Sequence, residues 1–298
     1  MSSQVEAFSQ VEWLTKVRST EPNRLAEALA KRKRRPKVIG DRGTLFLIAA
    51  DHTARGQHRV GDDSTAMADR NDLLTRLRLA LQRNNVDGVM GTADIIEDLA
   101  LLGALEDKVV FGSMNRGGLD GSVFELDDRF TGYTAAGIKR AGLDGGKMMV
   151  RIADDDSRTV ETLRSCAQAI DELADQGLPA MVEVFSVSRR EGLVVDDDPA
   201  RLARAVTVAS GLGSTSSYTW LKVPVVQDVG RVIAATTLPV FLLGGDPGRD
   251  VAETYRRWER AMAFPQVRGL VVGRAVLYPP DGNVAQAVDT AATIVSGG

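Results

Sequence analysis

Eight short apolar runs recur along this chain about every 32 residues, the length of one strand plus one helix. They are TLFLIAADH (44–52), VDGVMGT (86–92), KVVFGSM (108–114), GKMMVRI (146–152), AMVEVFSV (180–187), YTWLKVPVV (218–226), LPVFLLGG (238–245) and VRGLVVGR (267–274). Each is rich in β-branched and other apolar residues rather than alternating with polar ones. That pattern marks a strand buried on both faces, the signature of a parallel sheet. The intervening segments 73–81, 159–174, 199–209, 251–263 and 284–295 carry helical periodicity. Eight strand–helix units in strict alternation predict an α/β fold, a (β/α)8 TIM barrel over residues 44–298. An open eight-stranded parallel sheet is the alternative architecture.

Residues 5–35 read as additional helix, which makes 1–43 an N-terminal helical extension, suited to covering the barrel floor or to an oligomer contact. The basic run KRKRRPK (31–37) reads as a solvated helix end rather than a nucleic-acid patch, because the chain as a whole is acidic, with net charge -3 and pI about 5.6. No run reaches the ~18 apolar residues of a membrane helix, and the N-terminus lacks a basic-then-apolar leader pattern. These features predict a cytoplasmic protein with no nucleic-acid or membrane partner. The longest irregular stretch, 115–131, contains Gly117, Gly118 and Gly121 and is a candidate lid after the third strand.

The inventory of metal ligands is short. The only histidines are His52 and His58 and the only cysteine is Cys166, which argues against a zinc site and rules out an internal disulfide. Cys166 lies in an amphipathic stretch and reads as core filler.

Charged residues inside barrel strands need a reason. Lys147 and Arg151 occupy the fourth strand, Glu183 the fifth and Lys222 the sixth; Asp51 closes the first and Arg274 the eighth. In a parallel barrel these positions converge on one end. An apolar setting and a second cation, Lys147, would favour the free amine of Lys222, a nucleophile toward carbonyls. Glu183 could then move protons; in the structural alternative it only pairs with Lys222. Asp51 could orient a lysine or cap the following loop. Gly244 and Gly245 after the seventh strand, with Gly273 and Arg274 after the eighth, fit the usual phosphate-binding positions of such barrels. Arg151 suits a second anion or a salt bridge.

The order Asp51, Lys147, Glu183, Lys222, Gly-Gly, Gly-Arg resembles class I aldolases of the tagatose-bisphosphate aldolase type. So do the strings KMMVRIADDD, MVEVF, WLKVPV and VVGRA. The chain is also similar to actinobacterial aldolase-like barrels of inositol catabolism and to the aldolase half of bifunctional inositol-pathway proteins. The resemblance runs from about residue 44 to about residue 290. It implies a Schiff-base lysine at Lys222, a proton-transferring glutamate at Glu183, a second active-site lysine at Lys147 and the first-strand aspartate at Asp51. It implies phosphate binding at Gly244, Gly245, Gly273 and Arg274. The family carries glutamine beside the aspartate where this chain has His52, which bears on which sugar is accepted.

The expectation is therefore a metal-independent, cofactor-free lyase acting on a sugar phosphate and assembled as a homo-oligomer like many barrel aldolases. The first substrate candidate is 2-deoxy-5-keto-gluconate 6-phosphate, cleaved to dihydroxyacetone phosphate and malonate semialdehyde. A deoxyribose-phosphate aldolase-like enzyme, and a barrel isomerase or phosphosugar-binding protein that forms no imine, are the alternatives.

Overall fold

A computed structural model describes residues 2–190, 192–245 and 250–297. The eight runs form eight parallel strands: β1 (Leu45–Ala50), β2 (Gly88–Gly91), β3 (Val109–Ser113), β4 (Gly145–Ile152), β5 (Ala180–Arg189), β7 (Thr219–Val223), β8 (Val240–Leu243) and β9 (Val267–Val272). A short strand, β6 (Leu193–Val195), folds back antiparallel on β5. The hydrogen-bonded order is β4-β3-β2-β1-β9-β8-β7-β5, and pairing of β4 with β5 closes the ring. The sheet is thus a closed (β/α)8 barrel and not an open sheet.

Both faces of each strand are apolar because each faces a different core. Inward-pointing Leu45, Leu47, Met90, Val109, Phe111, Met181, Phe241 and Val271 fill the barrel, with Trp220 wedged between Phe111 and Phe241 at ring-centroid separations of 5.7 and 5.2 Å. Outward-pointing Phe46, Ile48, Val89, Val110, Met148, Val182 and Leu270 pack under the surrounding helices. Cys166, on the helix Arg158–Ala174, belongs to this outer core, and burial raises its thiol pKa so that it stays protonated. Strand spacing is tight enough to demand glycine at Gly269, whose φ is +138° and whose Cβ would collide with the carbonyl of Leu45.

The N-terminal segment forms two helices, Ser2–Thr20 and Asn23–Lys31, separated at Glu21-Pro22. After them the chain crosses the barrel floor, where Val38 and Ile39 pack against the interior cluster. The basic run is not a solvated helix end. Arg32 is buried and shares Asp144 with Arg34, while Arg35 and Arg42 share Asp87. Asp87 and Asp144 lie just before β2 and β4, and each accepts a backbone N–H of the neighbouring strand, from Phe46 and Val110 respectively. Opposed charges therefore fasten the extension to the strand starts. Among the described residues, no helix is long and apolar enough to cross a membrane.

Candidate active site

Register brings the strand charges together. Glu183 on β5 stands beside Lys222 on β7, and Lys147 lies on β4, across from β5 on its other side. The Glu183 carboxylate is shared: Oε1 is 2.5 Å from Lys222 Nζ, and Oε2 contacts Lys147 Nζ. Lys147 Nζ also donates to Asp51 Oδ2 at 3.1 Å, just past the end of β1. The same oxygen accepts the Ser113 hydroxyl at 2.8 Å and lies 2.8 Å from Arg116 Nη2. Asp51, Lys147, Glu183, Lys222 and Arg116 are all buried.

Burial by itself would raise the pKa of both carboxyl groups. For Glu183 it is outweighed by Lys147 and Lys222, and for Asp51 chiefly by Arg116 and Lys147, so both stay well below the usual range and remain anionic. Lys147 goes the other way. Burial, reinforced by Arg116, lowers it to about 8 despite two carboxylate neighbours. His52 is largely buried beside them. Burial lowers its imidazole to about 3 against the pull of Asp51, and Arg274 pushes in the same direction as burial. It is therefore neutral at pH 7.

These groups line a cavity of about 380 Å³ at the C-terminal ends of the strands, the size of a small-molecule site. Gly244, Gly245, Gly273 and Arg274 form one side, next to Lys222. Gly273 is pressed so close to Ala49 and His52 that a Cβ would collide with both. Arg274 reaches the carbonyl of Arg59 at 3.3 Å. Of the run 241–248, residues 246–248 lie outside the described residues. Met149, Phe185, Leu193 and Val195 add apolar lining.

Every predicted site residue lines this cavity, but Arg151 has commitments within the protein. It donates to Asp128 through Nε at 2.8 Å and Nη2 at 2.9 Å, and it pairs with Glu125. Arg55 binds the same Asp128 at 2.6 Å. These pairs pin the 115–131 loop to the barrel top, where Leu126 packs on Ala153 and Val187.

Arg116, Ser113, Arg55 and Asp128 were not singled out from the sequence. Ser113 was detectable as the polar residue near the end of an otherwise apolar run. Arg116 sits in a loop and Arg55 ends a single 3-10 turn, Thr53–Arg55, where no periodicity marks which side chain turns inward. Among the described residues, no group of three or more His, Cys, Asp or Glu side chains converges as a metal site would require.

The chain is similar to the crystal structure of Cgl0159 from Corynebacterium glutamicum (Brevibacterium flavum), with 49% identity over 97% of both chains and a TM-score of 0.94. An archaeal fructose 1,6-bisphosphate aldolase matches with a TM-score of 0.62 at 17% identity, over 92% of this chain and 100% of that one. An archaeal fructose-1,6-bisphosphate aldolase with its catalytic Lys covalently bound to the carbinolamine intermediate matches with a TM-score of 0.65 at 18% identity, over the same shares. At these identities the two aldolases bear on the fold alone, and the fold resembles theirs. Comparison with curated proteins finds no match. The family model described as Cgl0159-like matches residues 43–292, and the chain therefore belongs to that family.

Proposed function

We propose that this chain is a class I aldolase, a carbon–carbon lyase that works through an imine on Lys222. The observation that carries the reading is the Glu183 carboxylate held between two buried lysines, Lys147 and Lys222, at the base of the cavity. A carboxylate hydrogen-bonded to the nucleophile and to a second proton source can move protons at each step that imine chemistry requires. The solved aldolases of the same fold, one of them trapped as a lysine carbinolamine, agree with this reading.

Neutral Lys222 attacks the carbonyl carbon of a ketose phosphate whose phosphate lies against Gly244, Gly245, Gly273 and Arg274. The carbinolamine hydroxyl takes a proton relayed from Lys147 through Glu183 and leaves as water, giving the iminium. Glu183 then accepts the proton of the substrate hydroxyl β to the iminium carbon as the carbon–carbon bond breaks. The bond's electron pair moves into the iminium, the aldehyde departs and an enamine remains. Glu183 returns its proton to the enamine carbon, water hydrolyses the resulting iminium to the ketone and the free amine of Lys222, and the proton released returns through Glu183 to Lys147. The iminium is the electron sink, so the cycle calls for no metal. His52, where related aldolases carry glutamine, presents a neutral ring to the sugar.

The substrate candidate is 2-deoxy-5-keto-gluconate 6-phosphate, giving dihydroxyacetone phosphate and malonate semialdehyde within inositol catabolism; the resemblance of the motifs supports it. Incubation with this ketose phosphate followed by borohydride and peptide mass mapping is expected to find a reduced adduct on Lys222. Lys222→Ala is expected to lose the adduct and at least about 10³-fold in cleavage rate, and EDTA is expected to change neither. A panel of sugar phosphates that yields no adduct, together with undiminished turnover in Lys222→Ala, overturns the proposal.

A further inference from the structure

The buried site holds an odd number of charges. Asp51 and Glu183 are anionic, whereas Lys147, Lys222 and Arg116 would all be cations at neutral pH in water. Arg116 cannot swing away into solvent. Its Nη1 donates to the Asp51 carbonyl at 2.9 Å, its Nε donates to the Asn115 carbonyl at 3.1 Å, and Nη2 faces the Asp51 carboxylate at 2.8 Å. Asn115 is itself locked to β4 by reciprocal bonds with the Met149 backbone at 2.6 and 2.7 Å.

The surrounding groups do not cancel the excess. Arg55 also faces Arg116, but Arg55 and Arg151 are matched by Asp128 and Glu125, a set with no net charge. Asp120 lines the same cavity at its exposed mouth, where water screens it. His52 is neutral, and Arg274 adds a further cation on the far side.

We propose that Arg116 is a positioning residue that sets the charge of the site: as the third cation against two carboxylates, it keeps one of the two buried lysines a free amine. An excess positive charge in a low-dielectric pocket is relieved most cheaply by losing a proton, and arginine does not give one up. The proton therefore leaves a lysine. Lys147 and Lys222 are joined through Glu183, so the vacancy can pass between them, and the amine is available to Lys222 when a carbonyl arrives. The depressed Lys147 described above is consistent with this balance. This assignment rests on the imine reading for its purpose, though not for its measurement.

The test is trace acylation of the intact protein over a pH series, with peptide mapping of Lys147 and Lys222, which needs no sugar. Arg116→Gln leaves two cations against two carboxylates, and the midpoint of lysine reactivity is expected to rise by about one pH unit or more. Asp51→Asn leaves three cations against one carboxylate, and its midpoint is expected to fall. Arg116→Lys restores a cation that can itself give up the proton, and the midpoint of Lys147 and Lys222 is expected to lie above the parent's and at or below that of Arg116→Gln. Midpoints that do not move in Arg116→Gln and Asp51→Asn, or that move in the same direction, overturn the proposal. Should Arg116→Gln fail to fold, the Asp51→Asn shift and the Arg116→Lys midpoint decide it. Opposite shifts without any borohydride adduct would instead sink the aldolase reading and leave the charge assignment standing.

Discussion

At the scale of single residues, charge in an apolar strand was what the sequence made visible. Lys147, Glu183 and Lys222 stood out because each interrupts a run that otherwise buries both faces, and parallel register then forces such positions onto one end of the barrel. His52 carries a consequence of its own. Its folded-state pKa of about 3 lies below the unfolded value of 6.5, so on acidification the unfolded chain takes up a proton that the folded one refuses. The contribution of His52 to stability is complete above pH 6.5 and is lost as pH falls from there toward 3. Between pH 7 and pH 5 this one group should cost about 1–2 kcal/mol. Denaturant melts at the two pH values are expected to show His52→Gln losing less stability than the parent by that amount; equal losses would contradict the assignment. What residue-level reading could not reach was Arg116, because a loop side chain turns inward for reasons of tertiary geometry alone.

Among the elements, strands and helices were legible and the joins between them were not. The helix Arg158–Ala174 follows its apolar periodicity closely, and Pro199–Ser210 starts where Asp198 caps Ala200 and proline occupies the first turn. β6 escaped notice because three residues carry no readable alternation and its pairing with β5 is set by the turn. The glycine-bearing loop 115–131 looked like a candidate lid by composition. Its structure is that of a fastened wall: Asp128 takes hydrogen bonds from both Arg55 and Arg151, and Gly118 leaves no room for a Cβ between Glu125 and Arg151. Asp128→Ala would leave the buried Arg55 without a carboxylate and Arg151 with Glu125 alone, and breaking such buried pairs costs about 3–5 kcal/mol. The expected result is a clear fall in Tm together with faster amide exchange confined mainly to residues 115–131. Unchanged exchange there would show that the loop is held by other contacts.

For the whole molecule, the eightfold period specified the barrel and the helical pattern of residues 1–43 suited a floor cover, but the charge pairs that fasten that extension were not legible. Basic residues at a helix end are usually solvated; here their partners, Asp87 and Asp144, lie far along the chain, so the pairing was invisible until the strands were placed. The extension also buries Leu14, Val17 and Leu29, covers the floor with Val38 and Ile39, and anchors Arg18 on Asp98 and Glu97. Each buried aliphatic side chain is worth about 1.5–3 kcal/mol. Removal of the extension also takes both cations, Arg32 and Arg34, from the buried Asp144, and Arg35 and Arg42 from the buried Asp87. Set against a net stability of about 5–15 kcal/mol for a folded domain, these losses are comparable to the whole. Residues 44–298 expressed alone are therefore expected to lack a cooperative thermal transition and near-ultraviolet circular dichroism, even though all eight barrel strands are present. A cooperative melt within a few degrees of the full chain would show instead that the barrel is self-sufficient and the extension an appendage. The first outcome would place the structural boundary of this fold before its first strand, because the barrel floor is completed by the segment that precedes it.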